Sequence, residues 1–387
     1  MKLATFNGTK GIIVGGTFDR FHKGHKSLID KACSINKGTL MIGITEDELN
    51  TCIIKIKNLT LFLDKTLAEF IEPLNVRMAN VEQYVKSVLK DDRKFFIELL
   101  LDKYGNSIKC DEAYIICTLE TSPTVDEINE IREKLGLVKL DKVMCDGIKI
   151  GDEKFYYRKY LKNNLISSTN YRIDMLGTLI SNNKYQYTDF YKNVYVIGLT
   201  GSIASGKSSI SKLISEYDSI VIDADKICHE IYNTNEMVVK KIASVFGDDV
   251  VRDGRVNRSN LGLRVFKDSD DMEKLTSIVW PPMILKIKKQ IERIEKENDT
   301  GRRKIIIIDA AIIIEAKCYS LCHEVWICSI PKQIALERVM KRNQLSKVEA
   351  EQRYDSQMSP FERKKFANVV FCTKWDTDFT KYQVKRA

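Results

Sequence analysis

Residues 196–209, "VIGLTGSIASGKSS", set an apolar β-branched run directly before a loop of small residues and a helix-forming stretch directly after it. Gly201, Gly206, Lys207 and Ser208 fall at the spacing of a phosphate-binding loop. Small residues let successive backbone N–H groups turn inward onto phosphate oxygens, and the new helix adds the positive end of its dipole. Gly201, Ser202, Ile203, Ala204, Ser205, Gly206, Ser208 and Ser209 are therefore candidate ATP-phosphate contacts. Lys207 is the candidate catalytic ammonium for the β- and γ-phosphates, and the Ser208 hydroxyl the candidate Mg²⁺ ligand, with ATP as co-substrate. A chance Gly-Lys turn would share the spacing but not the strand before it and the helix after it. Ser202 and Ala204 stand where glycine would give the backbone more freedom.

Outward from the loop, "SIVID" reads as a strand whose end carries Asp223, with Asp225 two residues on. A carboxylate there can accept the proton of an attacking hydroxyl, and an aspartate at a strand end can equally cap the next helix. His229, four positions after Asp225, is compatible with substrate contact or with ordinary packing. Further strands are expected in "KIIIID", "EVWICSI" and "NVVFC", with a helical middle from about 224 to 297. Arg338 and Arg342 share one helix face, and Arg353 with Gln357 repeats that spacing. A basic lid over a triphosphate would use such a face; so would a solvated set of salt bridges. Ser346 and Glu349 have the spacing of a capping box.

The first half repeats the strand, glycine turn and helix order without repeating the motif. "GIIVGGTFDRFHKGH" carries Gly16, Thr17, His22 and His25 around a turn that leaves a strand and opens a helix. Strands "TLMIGIT", "AYIICT" and "DKVMC" alternate with helices at "NVRMANVEQYVKSVLK" and "VDEINEIREKLG". Such alternation predicts α/β architecture with parallel sheets in both halves. The polar, unpatterned segment 181–193 is the expected boundary, giving domains at 1–185 and 193–387.

Composition agrees with two domains. The chain has 387 residues, 44% hydrophobic and 30% charged, with six prolines, enough apolar material for two cores. A net charge of +9 comes without a dense basic block or a basic stripe interleaved with aromatics, so nucleic acid is not an expected partner. The ten cysteines show no CxxC pair; Cys318, Cys322 and His323 lack a fourth ligand nearby and are expected to pack rather than bind metal. No apolar run approaches the roughly 18 residues of a membrane span, and no secretory h-region is visible, so a reducing cytoplasmic setting is expected, with organelle association left open. Nothing in the sequence specifies a protein partner.

The second half resembles the dephospho-CoA kinase family in "GLTGSIASGKSS", "VIDADKICHE", "VWPPMI", "IIDAAIIIEA", "ERVMKRNQLSKVEAEQRYDSQMS" and "ANVVFCTKW". That resemblance implies Asp225 as the base, Asp309 near metal and acceptor, and Arg338 and Arg342 as phosphate ligands. Trp280 replaces a histidine common in bacterial forms and "FCTKW" replaces their Asn-Gly ending, departures similar to those of the fused animal-type enzyme. In the first half, GTFD with HxGH resembles the nucleotidylyltransferase superfamily, which would make His22 and His25 the catalytic pair. "ISSTNYR" resembles the phosphate-binding segment of phosphopantetheine adenylyltransferase, implying ATP contacts at Ser167, Ser168, Thr169 and Arg172. "LETSPTVDEINEIR" resembles the eukaryote-type segment, which implies substrate contacts at Asn129 and Arg132, although a glycine expected after "ET" is absent. Lys55 and Lys57 are candidates for the acceptor phosphate, and Asp223 and Asp309 for the second substrate. As a whole the chain resembles the bifunctional coenzyme A synthase family. The implied reactions join ATP to 4′-phosphopantetheine with release of pyrophosphate, then phosphorylate the dephospho-CoA 3′-hydroxyl. A different nucleotidylyltransferase fused to another kinase, or a protein with one regulatory, inactive site, are the competing expectations.

Overall fold

Alternating β-branched residues decide how the first unit layers. The computed structural model describes residues 10–35, 38–46, 65–89, 93–151, 164–181, 191–265 and 269–387, and contacts divide the chain into Met1–Asp174 and Met175–Ala387. In the first unit, β1 (Gly11–Gly16), β2 (Leu40–Thr45), β3 (Phe95–Leu100), β4 (Ala113–Cys117) and β5 (Asp141–Met144) form one parallel sheet in the order β3-β2-β1-β4-β5. Side chains alternate along each strand. Ile12, Val14, Ile42 and Ile44 therefore bury one face with Ile29 and Ala32 of helix α1 (Lys23–Ser34) and with Val81 and Val85 of α2 (Leu74–Val88). Ile13, Met41 and Ile115 bury the other face with Val125 and Ile128 of α3 (Ser122–Lys134).

The chain runs outward from β1 through β2 to β3 and then returns to lay β4 on the other side of β1. That reversal opens a crevice at the carboxyl ends of β1 and β4, the usual ligand position in such sheets. β3 was not expected from sequence. Its "FFIELL" has no clean alternation, and it pairs on one side only, with β2, so its residues are mostly half-buried.

In the second unit, β6 (Val194–Gly201) lies at the centre of a second parallel sheet ordered β12-β11-β6-β10-β7. The others are β7 (Ser219–Asp223), β10 (Lys304–Asp309), β11 (Glu324–Cys328) and β12 (Val369–Phe371). Registry sets the site: Asp309 stands opposite Asp223, and Cys328 opposite Gly201, all at the carboxyl edge. The segment 177–180 belongs here and not to the first domain. Gly177 N–H donates to Val370 O at 2.9 Å and Ile180 N–H to Asn368 O at 2.8 Å, with Leu179 bridged antiparallel to Val369. The outer edge of β12 is thereby covered. The first unit thus ends before Gly177, earlier than the expected 185, because residues read as a tail of the first domain pair with the second sheet.

The loop opens into α5 (Lys207–Ile214), and the helical middle begins with α6 (Ala224–Thr234) and α7 (Glu236–Phe246). An unanticipated hairpin of β8 (Val251–Arg252) and β9 (Arg255–Val256) precedes α8 (Arg258–Val265) and the long α9 (Ser269–Glu297). Beyond the sheet centre come α10 (Lys332–Asn343), α11 (Lys347–Asp355), α12 (Pro360–Arg363) and an unanticipated C-terminal α13 (Thr377–Arg386). The Ser346–Glu349 capping box forms as expected, Ser346 N–H donating to Glu349 Oε2 at 2.9 Å and Glu349 N–H to Ser346 Oγ at 3.3 Å. Among the described residues no helix is long and apolar enough to cross a membrane.

Candidate active sites

Between β1 and α1 the backbone of the first unit bends sharply, with Phe18 and Arg20 both at φ 53°. A left-handed conformation is costly for residues other than glycine and persists only when its surroundings hold it. Here the holder is Asp19, fully buried between them: Oδ1 accepts Glu72 N–H at 2.9 Å and Oδ2 pairs with Arg172. Arg77, also fully buried, donates from one terminal nitrogen to Thr17 O at 2.7 Å and Thr45 O at 3.0 Å. The turn is fixed from both sides.

That turn delivers the two histidines in a defined orientation. His22 Nδ1 accepts Gly24 N–H at 3.2 Å and His25 Nδ1 accepts His22 N–H at 3.5 Å, which leaves Nε2 as the donor nitrogen of each ring. The rings stack at 3.8 Å between centroids, and Tyr171 lies against His22 at 5.5 Å. Ser168 Oγ donates to Asp19 O at 2.7 Å and sits 3.3 Å from His22 Nε2, which joins the "ISST" segment to the histidine turn. Burial, with His22 and Lys65 adding to it, holds the His25 imidazole down at about 2. It is a neutral donor at any physiological pH.

Lys65, which sequence reading missed, donates to Thr17 Oγ1. Burial first, and then the Arg172 and Arg77 guanidinium charges, lower its ammonium to about 8. A phosphate placed here would offset that repulsion. The signal in sequence was only a lone lysine in "FLDKTL", with no pattern to mark it.

Other expected ligands of this site have structural duties. Arg172 is buried; besides pairing with Asp19, it donates from Nε to Thr66 O at 3.0 Å and from a terminal nitrogen to Thr169 Oγ1 at 3.1 Å. Its guanidinium buttresses the turn. Ser167 Oγ accepts Asn170 N–H at 3.3 Å in the first turn of α4 (Ser168–Asp174). The Asn129 amide brackets Leu140, donating to the carbonyl at 3.1 Å and accepting the N–H at 2.8 Å. Arg132 is almost fully buried and donates to Val138 O at 2.7 Å, Ser107 O at 2.8 Å and Cys110 O at 3.0 Å. A polar residue on a helix reads the same in sequence whether it faces ligand or backbone. Gly16 closes β1 beside Thr17. Lys55 and Lys57 lie outside the described residues.

In the second unit the loop takes the anticipated shape. Ala204 at φ 56° and Gly206 at φ 88° turn the backbone between Gly201 and Lys207, and Ser205 N–H donates to Ser202 O at 3.1 Å. Ala204 carries the conformation that glycine would adopt without strain. Gln357 Oε1 accepts Ile203 N–H at 2.8 Å. That glutamine lies past the end of α11, so it does not share a helix face with Arg353 as its spacing implied.

Three strand ends and the first turn of α6 converge on Lys207. Its ammonium pairs with Asp309 at the end of β10. Asp225 is raised chiefly by desolvation, with Lys207 opposing and Asp223 and Asp309 reinforcing the rise. Asp223 caps α6, its Oδ1 accepting Lys226 N–H at 2.9 Å, which is the capping role its position allowed. Ser208 and Ser209 are exposed in the first turn of α5, and neither hydroxyl makes a hydrogen bond among the described residues. Arg338 donates to Ala204 O at 3.3 Å and Thr373 Oγ1 at 2.8 Å, and also to Thr373 O. Arg342 is exposed and donates from Nε to Asn343 Oδ1 at 2.9 Å. His229 Nδ1 lies 3.2 Å from Arg258. Cys318 and Cys322 are buried, and His323 Nδ1 accepts Val196 N–H at 2.9 Å, so that trio packs the core.

A hydroxyl and nearby carboxylates are hard oxygen donors of the kind Mg²⁺ takes. Among the described residues no three His, Cys, Asp or Glu side chains are grouped to hold an ion by themselves. The set therefore fits an ion carried largely by nucleotide oxygens and water, with Ser208 as the protein's contribution.

Comparison with known proteins follows the two units. Residues 195–376 match the family model described as dephospho-CoA kinase, and residues 13–173 the one described as cytidylyltransferase-like. The chain is 35% identical over 190 residues to the dephospho-CoA kinase of Carboxydothermus hydrogenoformans, spanning 49% of this chain and 90% of that protein. With the Bacillus cereus dephospho-CoA kinase the identity is 38% over 176 residues, 45% of this chain and 86% of that one. Among solved structures, the dephospho-CoA kinase from Campylobacter jejuni is similar at 29% identity and a TM-score of 0.39, over 49% of this chain and 94% of that one.

Proposed function

The chain belongs, through its second half, to the dephospho-CoA kinase family, and from that premise we propose that it makes its own kinase substrate, the first unit forming dephospho-CoA from ATP and 4′-phosphopantetheine. The observation that carries this reading is the chain of contacts from Asp19 O through Ser168 Oγ to His22 Nε2, with Lys65 on the adjacent Thr17. It assembles imidazole N–H donors, a hydroxyl and a cation in one crevice whose chemistry suits a triphosphate.

In the first reaction a 4′-phosphate oxygen attacks the ATP α-phosphorus; that P–O bond forms as the bond to the β-phosphate bridge breaks, and pyrophosphate leaves. The nucleophile is already anionic near neutral pH, so the site aligns and screens charge and needs no strong base. His22 and His25 donate from Nε2 toward the α- and β-phosphates, and Lys65 neutralises one of the two approaching anions. In the second reaction Asp225 takes the proton of the ribose 3′-hydroxyl as its oxygen bonds the ATP γ-phosphorus and ADP departs. Lys207 exchanges Asp309 for the β- and γ-phosphates, and Arg338 adds charge from the other side of the loop. Mg²⁺ held by Ser208 and the nucleotide would screen the transferring phosphoryl group.

Purified protein with ATP, Mg²⁺ and 4′-phosphopantetheine is expected to release one pyrophosphate per dephospho-CoA formed and then convert dephospho-CoA to CoA, followed by chromatography. Release with another nucleoside triphosphate or acceptor instead would transfer the first unit to a different nucleotidylyltransferase class. Phosphorylation of added dephospho-CoA with no pyrophosphate release from any acceptor would make it a binding module.

A further inference from the structure

We propose that Thr373 is a positioning residue of the kinase site, locking the Arg338 guanidinium against the phosphate-binding loop in the orientation that phosphoryl transfer requires. This inference deepens the kinase reading and rests on it. Thr373 lies two residues past β12, in "FCTKW", and is almost fully buried. A hydroxyl carries one proton, so its hydrogen bonds have a forced direction. Thr373 Oγ1 donates to Ser205 O at 2.8 Å and accepts from Arg338 at 2.8 Å, while its carbonyl accepts from the other terminal nitrogen of the same arginine.

These bonds, with the one to Ala204 O at 3.3 Å, use three of the five guanidinium N–H groups and fix its plane. The remaining donors are left for the nucleotide. Thr373 is also seated tightly. A Cβ on Gly206 would come within 2.5 Å of Thr373 Oγ1 and 2.6 Å of its Cγ2. The glycine before Lys207 thus serves its own φ of 88° and also makes room for the threonine that holds Arg338.

Nothing in this arrangement supplies a reacting atom, so the expected signature is in turnover more than in affinity. In the full-length protein with ATP, Mg²⁺ and dephospho-CoA, Thr373→Val keeps shape but can neither donate to Ser205 O nor accept from Arg338. It should lower kcat about tenfold with KM for dephospho-CoA within about twofold. Thr373→Ser retains both bonds and should stay within about twofold of wild type. Combined with Arg338→Lys, Thr373→Val should add less than twofold to the loss caused by Arg338→Lys alone, because the two act as one unit. The proposal is overturned by a serine variant as slow as the valine variant, by losses that multiply in full, or by unchanged turnover in Thr373→Val. A wild-type chain that failed to phosphorylate dephospho-CoA would count instead against the kinase reading.

Discussion

Two ammonium groups, Lys207 and Lys65, stand in opposite electrostatic settings. Lys207 faces the Asp309 carboxylate; Lys65 is half-buried beside two guanidinium groups and lowered to about 8. Replacing Lys207 with methionine removes the charge that follows the transferring phosphoryl. CoA formation should fall by roughly 10²–10³, the usual cost of losing one such contact, while pyrophosphate release continues and dephospho-CoA accumulates. CoA formed at the wild-type rate would refute the assignment of Lys207. For Lys65 the prediction concerns pH. Its protonated form is lost in the free enzyme as pH rises through about 8, so kcat/KM for pyrophosphate release should decline about tenfold per pH unit above that point. Lys65→Arg, whose charge persists, should push the decline to higher pH. An identical alkaline limb in both proteins would assign it to another group. His25 acts on the acid side. With its folded pKa depressed from 6.5 to about 2, the unfolded chain binds the extra proton, and stability is lost as pH falls below 6.5. Urea unfolding at pH 7 and pH 5 should show wild type losing roughly 1–2 kcal/mol more between the two than His25→Gln. Equal losses would mean the imidazole is not held neutral.

At the level of elements, both nucleotide turns were legible because strand, glycine turn and helix leave a local pattern. Lys207 opens a helix directly after Gly206, and Ser168 Oγ lies 3.3 Å from His22 Nε2. What was hidden depends on neighbours distant in sequence. β3 lies at the end of the sheet with nearly all its residues half-buried, so its two faces leave no alternation to read. Asn129 and Arg132 turn to backbone carbonyls contributed by other segments, and Lys65 gains its meaning from Thr17 and Arg172. The segment 177–180 is the clearest case, since polar residues beside a boundary do not announce which sheet they join. Gly177 has φ 70°, and a Cβ there would stand 2.1 Å from Gln383 O. Gln383 is fully buried and brackets Cys372, accepting its N–H at 2.8 Å and donating to its carbonyl at 3.0 Å. Gly177→Ala should therefore cost about 1–3 kcal/mol, a fall of roughly 2–4 °C in the second unit's Tm per kcal/mol. Kinase turnover should drop more than pyrophosphate release, because Cys372 adjoins Thr373. An unchanged Tm would show that Gln383 is not held where the geometry puts it.

For the whole molecule, the distribution of chemistry between two units makes a testable demand. Every candidate donor of the first site, from Thr17 to Arg172, lies in Met1–Asp174, and every candidate of the second, from Gly201 to Thr373, in Met175–Ala387. The two candidate sets have no residue in common, so disabling one should leave the other intact. A chain carrying His25→Gln should phosphorylate added dephospho-CoA normally, and one carrying Lys207→Met should release pyrophosphate normally. Mixed in equal amounts with ATP, Mg²⁺ and 4′-phosphopantetheine, the two inactive chains should together produce CoA, because dephospho-CoA made by one is free to bind the other. The time course discriminates further. Product should appear after a lag that shortens as total protein rises, since the intermediate must reach a second molecule by diffusion. Wild type at the same concentration should show the shorter lag only to the extent that tethering raises the local concentration of intermediate at the second site. A mixture that makes dephospho-CoA but never CoA would mean that one substitution damages both units, and the assignment of independent sites would fall.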